Sequence, residues 1–165
     1  MVAGDEEHAE RGAEPLEAFG IGPVFQGAIA AISRELGQSV SFAPIRELPL
    51  VTGHRHRFSL AIINLLRNAA QSIASGPVDI RIQADLGDGE VIVMVEDNGP
   101  GVPIEHRSTI FKHGFSLRPG GTGQGLALVR EVVESEMGGR ATCEDSPLGG
   151  ARFVLKLPVA GRKAG

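Results

Sequence analysis

Three short stretches limit what this chain of 165 residues can fold into more than any other feature. They are Asn64-Leu65-Leu66-Arg67-Asn68-Ala69, then Asp97-Asn98-Gly99-Pro100-Gly101, then Gly121-Thr122-Gly123-Gln124-Gly125. The first sets two carboxamides four residues apart, so on a helix both lie on one face, where their oxygens can hold a hydrated magnesium ion. The second joins a carboxylate to a turn whose glycines let a flat ring approach the backbone. The third is a glycine cluster opening a helix, where free amides and the helix dipole favour phosphate. A fold that serves all three must bring a helix face, a strand end and a loop-to-helix junction to one place. Together they read as an ATP site.

The pattern between the stretches supplies such elements. Val24, Ala28, Ile32 and Leu36 recur at near-helical spacing and Gly37 offers a stop, which predicts a first helix. Val40 to Ile45 and Leu48 to Thr52 are short β-prone runs interrupted by Pro44 and Pro49, as in small or edge strands. Phe58, Ile62, Leu65, Ala69 and Ile73 step by three or four toward Gly76-Pro77, which predicts a long helix with Asn64 and Asn68 beside its apolar stripe. Val78, Ile80, Ile82 and Ala84 alternate, Gly87-Asp88-Gly89 is a tight connection, and Val91 to Val95 returns as a hairpin partner. Asp97 then falls just past the end of a central strand. Residues 98–122 carry no sustained periodicity and form a long loop, the lid. Leu126, Val129, Val133 and Met137 predict a further helix, with Glu131 and Glu134 outward and Gly138-Gly139 as terminator. Arg140 to Glu144 and Arg152 to Leu157 complete a sheet.

Composition narrows the classes. With 42% hydrophobic residues the chain can build one substantial core. The net charge is −4, and the first seventeen residues alone carry −5, so the remainder is about neutral. Without a basic stripe, and without Tyr or Trp to stack on bases, a nucleic-acid partner is disfavoured. Residues 1–14 are acidic and poor in large apolar side chains, as in a tail or linker; residues 15–160 form the expected domain and 161–165 a short C-terminal tail. No apolar run suits a membrane span and Cys143 has no disulfide partner, so a cytoplasmic domain without membrane contact is expected, as a monomer.

In their order and spacing these stretches resemble the ATP-binding catalytic domain of sensor histidine kinases, within the gyrase, chaperone, histidine kinase and mismatch-repair superfamily. The resemblance runs from about Leu16 to Pro158. It rests on the N box Asn64 to Asn68, the D-x-G-x-G box Asp97 to Gly101 and the G-x-G-x-G box Gly121 to Gly125. Phe111 and Phe115, and the Gly149-Gly150-Ala151-Arg152-Phe153 turn into the last strand, also match. It implies an α+β two-layer sandwich of the Bergerat type: a mixed, mostly antiparallel sheet with helices on one face and a long ATP lid.

The resemblance also implies roles. Asp97 would accept the adenine amino group, which guanine lacks at that position, while Gly99 and Gly101 let the backbone approach. Asn68 would hold the metal, Mg2+, with Asn64 supporting its water shell and the phosphates. Gly121, Thr122, Gly123, Gln124 and Gly125 would form the hinged lid end, and the amides near Leu126 would face the triphosphate. Lys112 and Arg118 are lid cations suited to phosphate, and Phe111 and Phe115 would anchor the lid. The expected partners are a histidine-containing dimerisation domain and a response regulator. None of His8, His54, His56, His106 and His113 stands in a phosphoacceptor context, so the acceptor would be elsewhere. The hydrolytic glutamate of the gyrase and chaperone branches would fall at Leu60, which cannot take a proton. An ATP-gated interaction module without transfer activity would carry the same motifs. His54 and His56 read as solvated loop residues and Cys143 as strand packing; Gln71 stands where the family often has lysine.

Overall fold

A computed structural model describes residues 14–37, 40–42, 46–118 and 120–162. The acidic segment 1–13 and the last residues 163–165 lie outside the described residues, as do positions 43–45 of the run expected as a strand. Strand β1 (Glu17–Phe19) leads into helix α1 (Ile21–Leu36), followed by β2 (Ser41–Phe42), β3 (Val51–Gly53) and helix α2 (Arg55–Ser72). The hairpin β4 (Ile80–Gly87) and β5 (Glu90–Asp97) precedes the long loop, which holds single 3-10 turns at Ile104–His106 and Thr109–Phe111. Helix α3 (Gly125–Arg130) widens into a π turn over Glu131–Glu136, and β6 (Arg140–Asp145) and β7 (Ala151–Pro158) close the chain.

The main sheet has the order β2-β4-β5-β7-β6, antiparallel throughout except for the two-residue parallel pair of β2 with β4. The three helices form one layer on it, α2 between α1 and α3 and packed against β4 and β5. Alternation in the strands aims Val91, Val93 and Val95 of β5, with Ile80 and Ile82 of β4, into the space between layers, where all five are buried. From the other side α2 contributes Phe58, Ile62, Leu65 and Leu66, each fully buried. Side chains of this size contribute about 1.5–3 kcal/mol each when removed from water. This is the two-layer α+β sandwich with a mixed, mostly antiparallel sheet. Among the described residues, no helix is long and apolar enough to cross a membrane.

Several boundaries differ from the sequence pattern, for local reasons. Helix α1 begins at Ile21, one turn before Val24, and places Pro23 in its first turn, where a missing N–H costs nothing. Helix α2 stops at Ser72 rather than at Gly76-Pro77. The Ser72 hydroxyl donates to the Ala69 carbonyl at 2.7 Å, the acceptor that the Ile73 amide would need for the helix to continue. The run Leu48 to Thr52 is strand only from Val51, and it pairs with β1, which the sequence did not announce. Glu134 does not simply face outward: it accepts Arg130 Nε at 3.0 Å and the Ala141 amide at 3.2 Å.

The acidic segment is not wholly apart from the fold. His54, the residue before α2, makes no side-chain cap. Glu14 supplies the missing acceptor, its Oε1 taking the His56 amide at 3.1 Å in the helix's first turn.

Candidate functional site

Strand β5 ends on two adjacent carboxylates, which its alternation sends to opposite faces. Glu96 and Asp97 are each 2% exposed. Glu96 takes a hydrogen bond from Arg152 Nε at 2.7 Å, its cross-strand neighbour on β7. Asp97 is held by backbone instead: its Oδ1 accepts the amides of Gly99 at 2.9 Å and Ala151 at 3.1 Å. All the hydrogen bonds found at this carboxylate are on Oδ1. Burial pushes the Asp97 carboxyl above its ordinary range, and the two amides oppose that rise.

The neighbouring residues fix this geometry. Asn98 is a staple, its Oδ1 accepting the Asp79 amide at 2.9 Å and its Nδ2 donating to the Pro77 carbonyl at 2.9 Å. Gly150 donates its amide to the Asp97 carbonyl at 3.1 Å. A Cβ at Gly150 would overlap Asp97 Oδ1 and come within 2.5 Å of the Asp97 carbonyl oxygen, so only glycine allows the β7 turn to close on the strand end.

Beside this turn opens a cavity of about 960 Å³, walled by the polar face of α2, the lid and the start of α3. The expected residues Asn64, Asn68, Gly101, Arg118, Gly121, Thr122, Gly123, Gln124, Gly125 and Leu126 line it. Asp97 and Gly99 stand behind the wall; a Cβ at Gly99 would lie 2.5 Å from Oγ of the lining residue Ser72. Lys112 is exposed and outside the lining. At the lid base, Gly114 donates to the Gly123 carbonyl at 3.0 Å. Gly123 has φ +66, and a Cβ there would overlap the Gly114 backbone and lie 2.6 Å from the Phe115 nitrogen. Gly125 and Leu126, in the first turn of α3, where geometry leaves amides without intrahelical acceptors, line the same space.

Three lining arginines differ in their partners. Arg57 Nε lies 2.6 Å from Glu136 Oε1 and its Nη2 3.0 Å from Glu131 Oε1. Arg67 makes a two-pronged pair with Glu35 of α1, at 2.8 Å on each prong, which holds the Glu35 carboxyl below its ordinary range. Arg118, from the lid, donates to the neutral Gln71 Oε1 at 2.8 Å. Arg57, Arg67 and Gln71 had no assigned role in the sequence reading. Their signal was there: they lie at helical spacing from Asn64 and Asn68, on the polar face opposite the buried stripe of the helix.

Other expectations need correction. Leu60 is 38% exposed and outside the cavity lining, so it says nothing about a hydrolytic base. The lining side chain one turn before Asn68 is Asn64, an amide, and Glu131 is the one carboxylate among the described lining residues, engaged by Arg57. Phe111 anchors the loop, edge-on to Phe153 with centroids 6.1 Å apart, whereas Phe115 is only half-buried and lines the cavity. His54 is not a solvated loop residue; its Nδ1 is buried and has no hydrogen-bond partner among the described residues. Cys143 packs as expected, and burial pushes its thiol up to about 12.

Known proteins share this arrangement. Sensor protein CitS of Halalkalibacterium halodurans is 41% identical over 140 residues, which are 81% of this chain and 26% of CitS. The chain spans about a quarter of the length of such curated relatives. The nucleotide-free catalytic domain of the histidine kinase ThkA superposes with a TM-score of 0.75 at 26% identity, over 88% of this chain and 96% of that one. Full-length ShkA in complex with AMPPNP gives 0.75 at 26% identity, over 92% of this chain and 33% of ShkA. Residues 53–161 match the family described as Histidine kinase-, DNA gyrase B-, and HSP90-like ATPase, and with these likenesses the chain belongs to that family as an ATP-binding domain of the sensor histidine kinase kind.

Proposed function

We propose that this chain binds Mg-ATP in the cavity between α2 and the lid and delivers the γ-phosphoryl group to a histidine on a separate dimerisation domain, for relay to a response regulator. The observation that carries the reading is the convergence on one cavity of the amide face of α2, the glycine-rich opening of α3 and, behind the wall, the backbone-held carboxylate of Asp97. The adenine amino group would donate to Asp97, while a guanine carbonyl there would meet a second acceptor, so ATP is selected over GTP.

The donor set suits magnesium. Among the described residues no group of three His, Cys, Asp or Glu side chains could cage an ion. The ion would therefore keep waters and phosphate oxygens, as Mg2+ prefers, and take the Asn68 carboxamide as its protein contact. It would neutralise charge on the phosphates. Asn68 is free for this task, making no hydrogen bond to a described side chain, and Arg118 has only a neutral partner to leave for a phosphate. On this reading the domain works in the cytoplasm, beside its dimerisation domain.

The direct test is transfer of label from γ-labelled ATP to a histidine-bearing helical hairpin. Acid-labile label on the hairpin is expected. Asn68→Ala should cut magnesium-dependent transfer by about a hundredfold, a size typical for loss of one group that positions charge, while adenosine still binds. Undiminished transfer by that variant would remove Asn68 from the assignment, and nucleotide binding without any labelled hairpin would favour an ATP-gated interaction module.

A further inference from the structure

We propose that Arg67, clamped by Glu35, is a positioning residue that fixes the Asn64 carboxamide for the phosphate end of the nucleotide, and so links α1 to the site. The inference rests on the Mg-ATP reading of the cavity and adds residues to it. Arg67 stands three residues after Asn64, and its Nη1 reaches Asn64 Oδ1 at 3.3 Å. A guanidinium only donates, so it selects the amide oxygen and turns the nitrogen the other way. That nitrogen lies 3.5 Å from the Gly125 carbonyl, at the start of α3. The carboxamide is thus held between α2 and the glycine-rich end of the lid, in one of its two flips.

Arg67 can impose this only because it is itself fixed. Its Nε and Nη2 meet the two Glu35 oxygens at 2.8 Å each, a fork that leaves Nη1 as the prong facing the cavity. Glu35 belongs to the last turn of α1, so the pair pins that helix end to the middle of α2. It also neutralises the Arg67 charge. This separates Arg67 from Arg118, whose partner is an uncharged amide. The two asparagines then differ: Asn64 is oriented before ligand arrives, and Asn68 makes no side-chain hydrogen bond among the described residues.

The experiment measures binding of Mg-ATP and of adenosine, which lacks phosphates, to the 165-residue chain and its variants. Arg67→Met should weaken Mg-ATP about tenfold, the size of one lost charge-assisted hydrogen bond, and leave adenosine unchanged. Arg67→Lys should recover part of the loss. Glu35→Gln, an exposed change that spares the cavity, should weaken Mg-ATP by a smaller factor and add nothing in the Arg67→Met background. Equal losses for both ligands would show a merely structural pair, and full additivity of the two changes would show that Glu35 does not act through Arg67; either would overturn the inference. So would an unaltered Mg-ATP affinity in Arg67→Met. Failure of the unmodified chain to bind Mg-ATP would instead sink the underlying function.

Discussion

The Asp97 end of the site and the arginine-bearing wall of the cavity are built from different materials. At the Asp97 end the partners are backbone amides, those of Gly99 and Ala151 on Oδ1 and that of Gly150 on the Asp97 carbonyl, all set by strand pairing and a stapled turn. Along α2 and the lid the partners are long side chains, with Arg57, Arg67 and Arg118 each reaching from one element to another. Backbone groups in a sheet have no rotamers to lose, so the first end is fixed with the fold. Arginine forks must be ordered one by one, at a cost in side-chain entropy, and can be released again. On the Mg-ATP reading, base recognition is thereby tied to the frame, and phosphate contact falls to side chains, some held by ion pairs, as Arg67 is by Glu35, and Arg118 by a neutral amide.

The sharpest way to break this comparison is to add one carbon in each region. Gly150→Ala puts a Cβ against Asp97 and should cost about 3 kcal/mol of stability, as overpacking in a closed site does, with ATP binding lost alongside. Thermal or urea unfolding measures it. Gly123→Ala meets both the left-handed φ of +66 and the Gly114 backbone, but in the loop before α3 rather than at a strand end. It should lower stability by about 1–2 kcal/mol, the strain of a non-glycine residue at positive φ, and weaken Mg-ATP more than adenosine. A large fall in melting temperature from Gly123→Ala together with a mild effect of Gly150→Ala would invert the account.

A smaller effect sharpens it further. Burial raises the Asp97 carboxyl above its ordinary value of 3.8, so the folded state holds that proton more tightly than the unfolded chain. Taken alone, the group favours folding at low pH, and this contribution is lost as pH rises through the raised value. On the Mg-ATP reading, nucleotide works in the opposite sense, because an amino donor at Asp97 favours the carboxylate and expels the proton. ATP affinity should therefore fall as pH drops through the raised value, by about tenfold per pH unit beyond it. Calorimetry of the native chain against Asp97→Asn separates this from titration of the nucleotide itself: the variant should lack the Asp97 part of the slope.

How much of this was legible in the sequence depended on whether the cause was local. The β4-β5 hairpin was, since Asp88 and Gly89 both take positive φ, at 53 and 77, as an Asp-Gly two-residue turn requires. Gly37 ended α1 for the same kind of reason, in the left-handed conformation with its amide on the Ser33 carbonyl at 3.0 Å. The pairing of β1 with β3 was not, because Glu17-Ala18-Phe19 is too short to alternate and its partner is over thirty residues away. At the site, the lining by Asn64 and Asn68 followed from their spacing. The fork between Glu35 and Arg67 could not, because it exists only once α1 has packed on α2. Leu60 misled because counting turns back from Asn64 places a residue along a helix and leaves open whether it faces the cavity.

The bond between Glu14 and the His56 amide has a practical reach. Composition draws the edge of the domain at residue 15, yet a chain trimmed there would strip the acceptor from the leading turn of the helix that presents both asparagines. Truncations meant to shed only acidic ballast would also uncover a positive pole, so shortened and longer versions of this protein should be compared for melting temperature before their nucleotide affinities are set side by side.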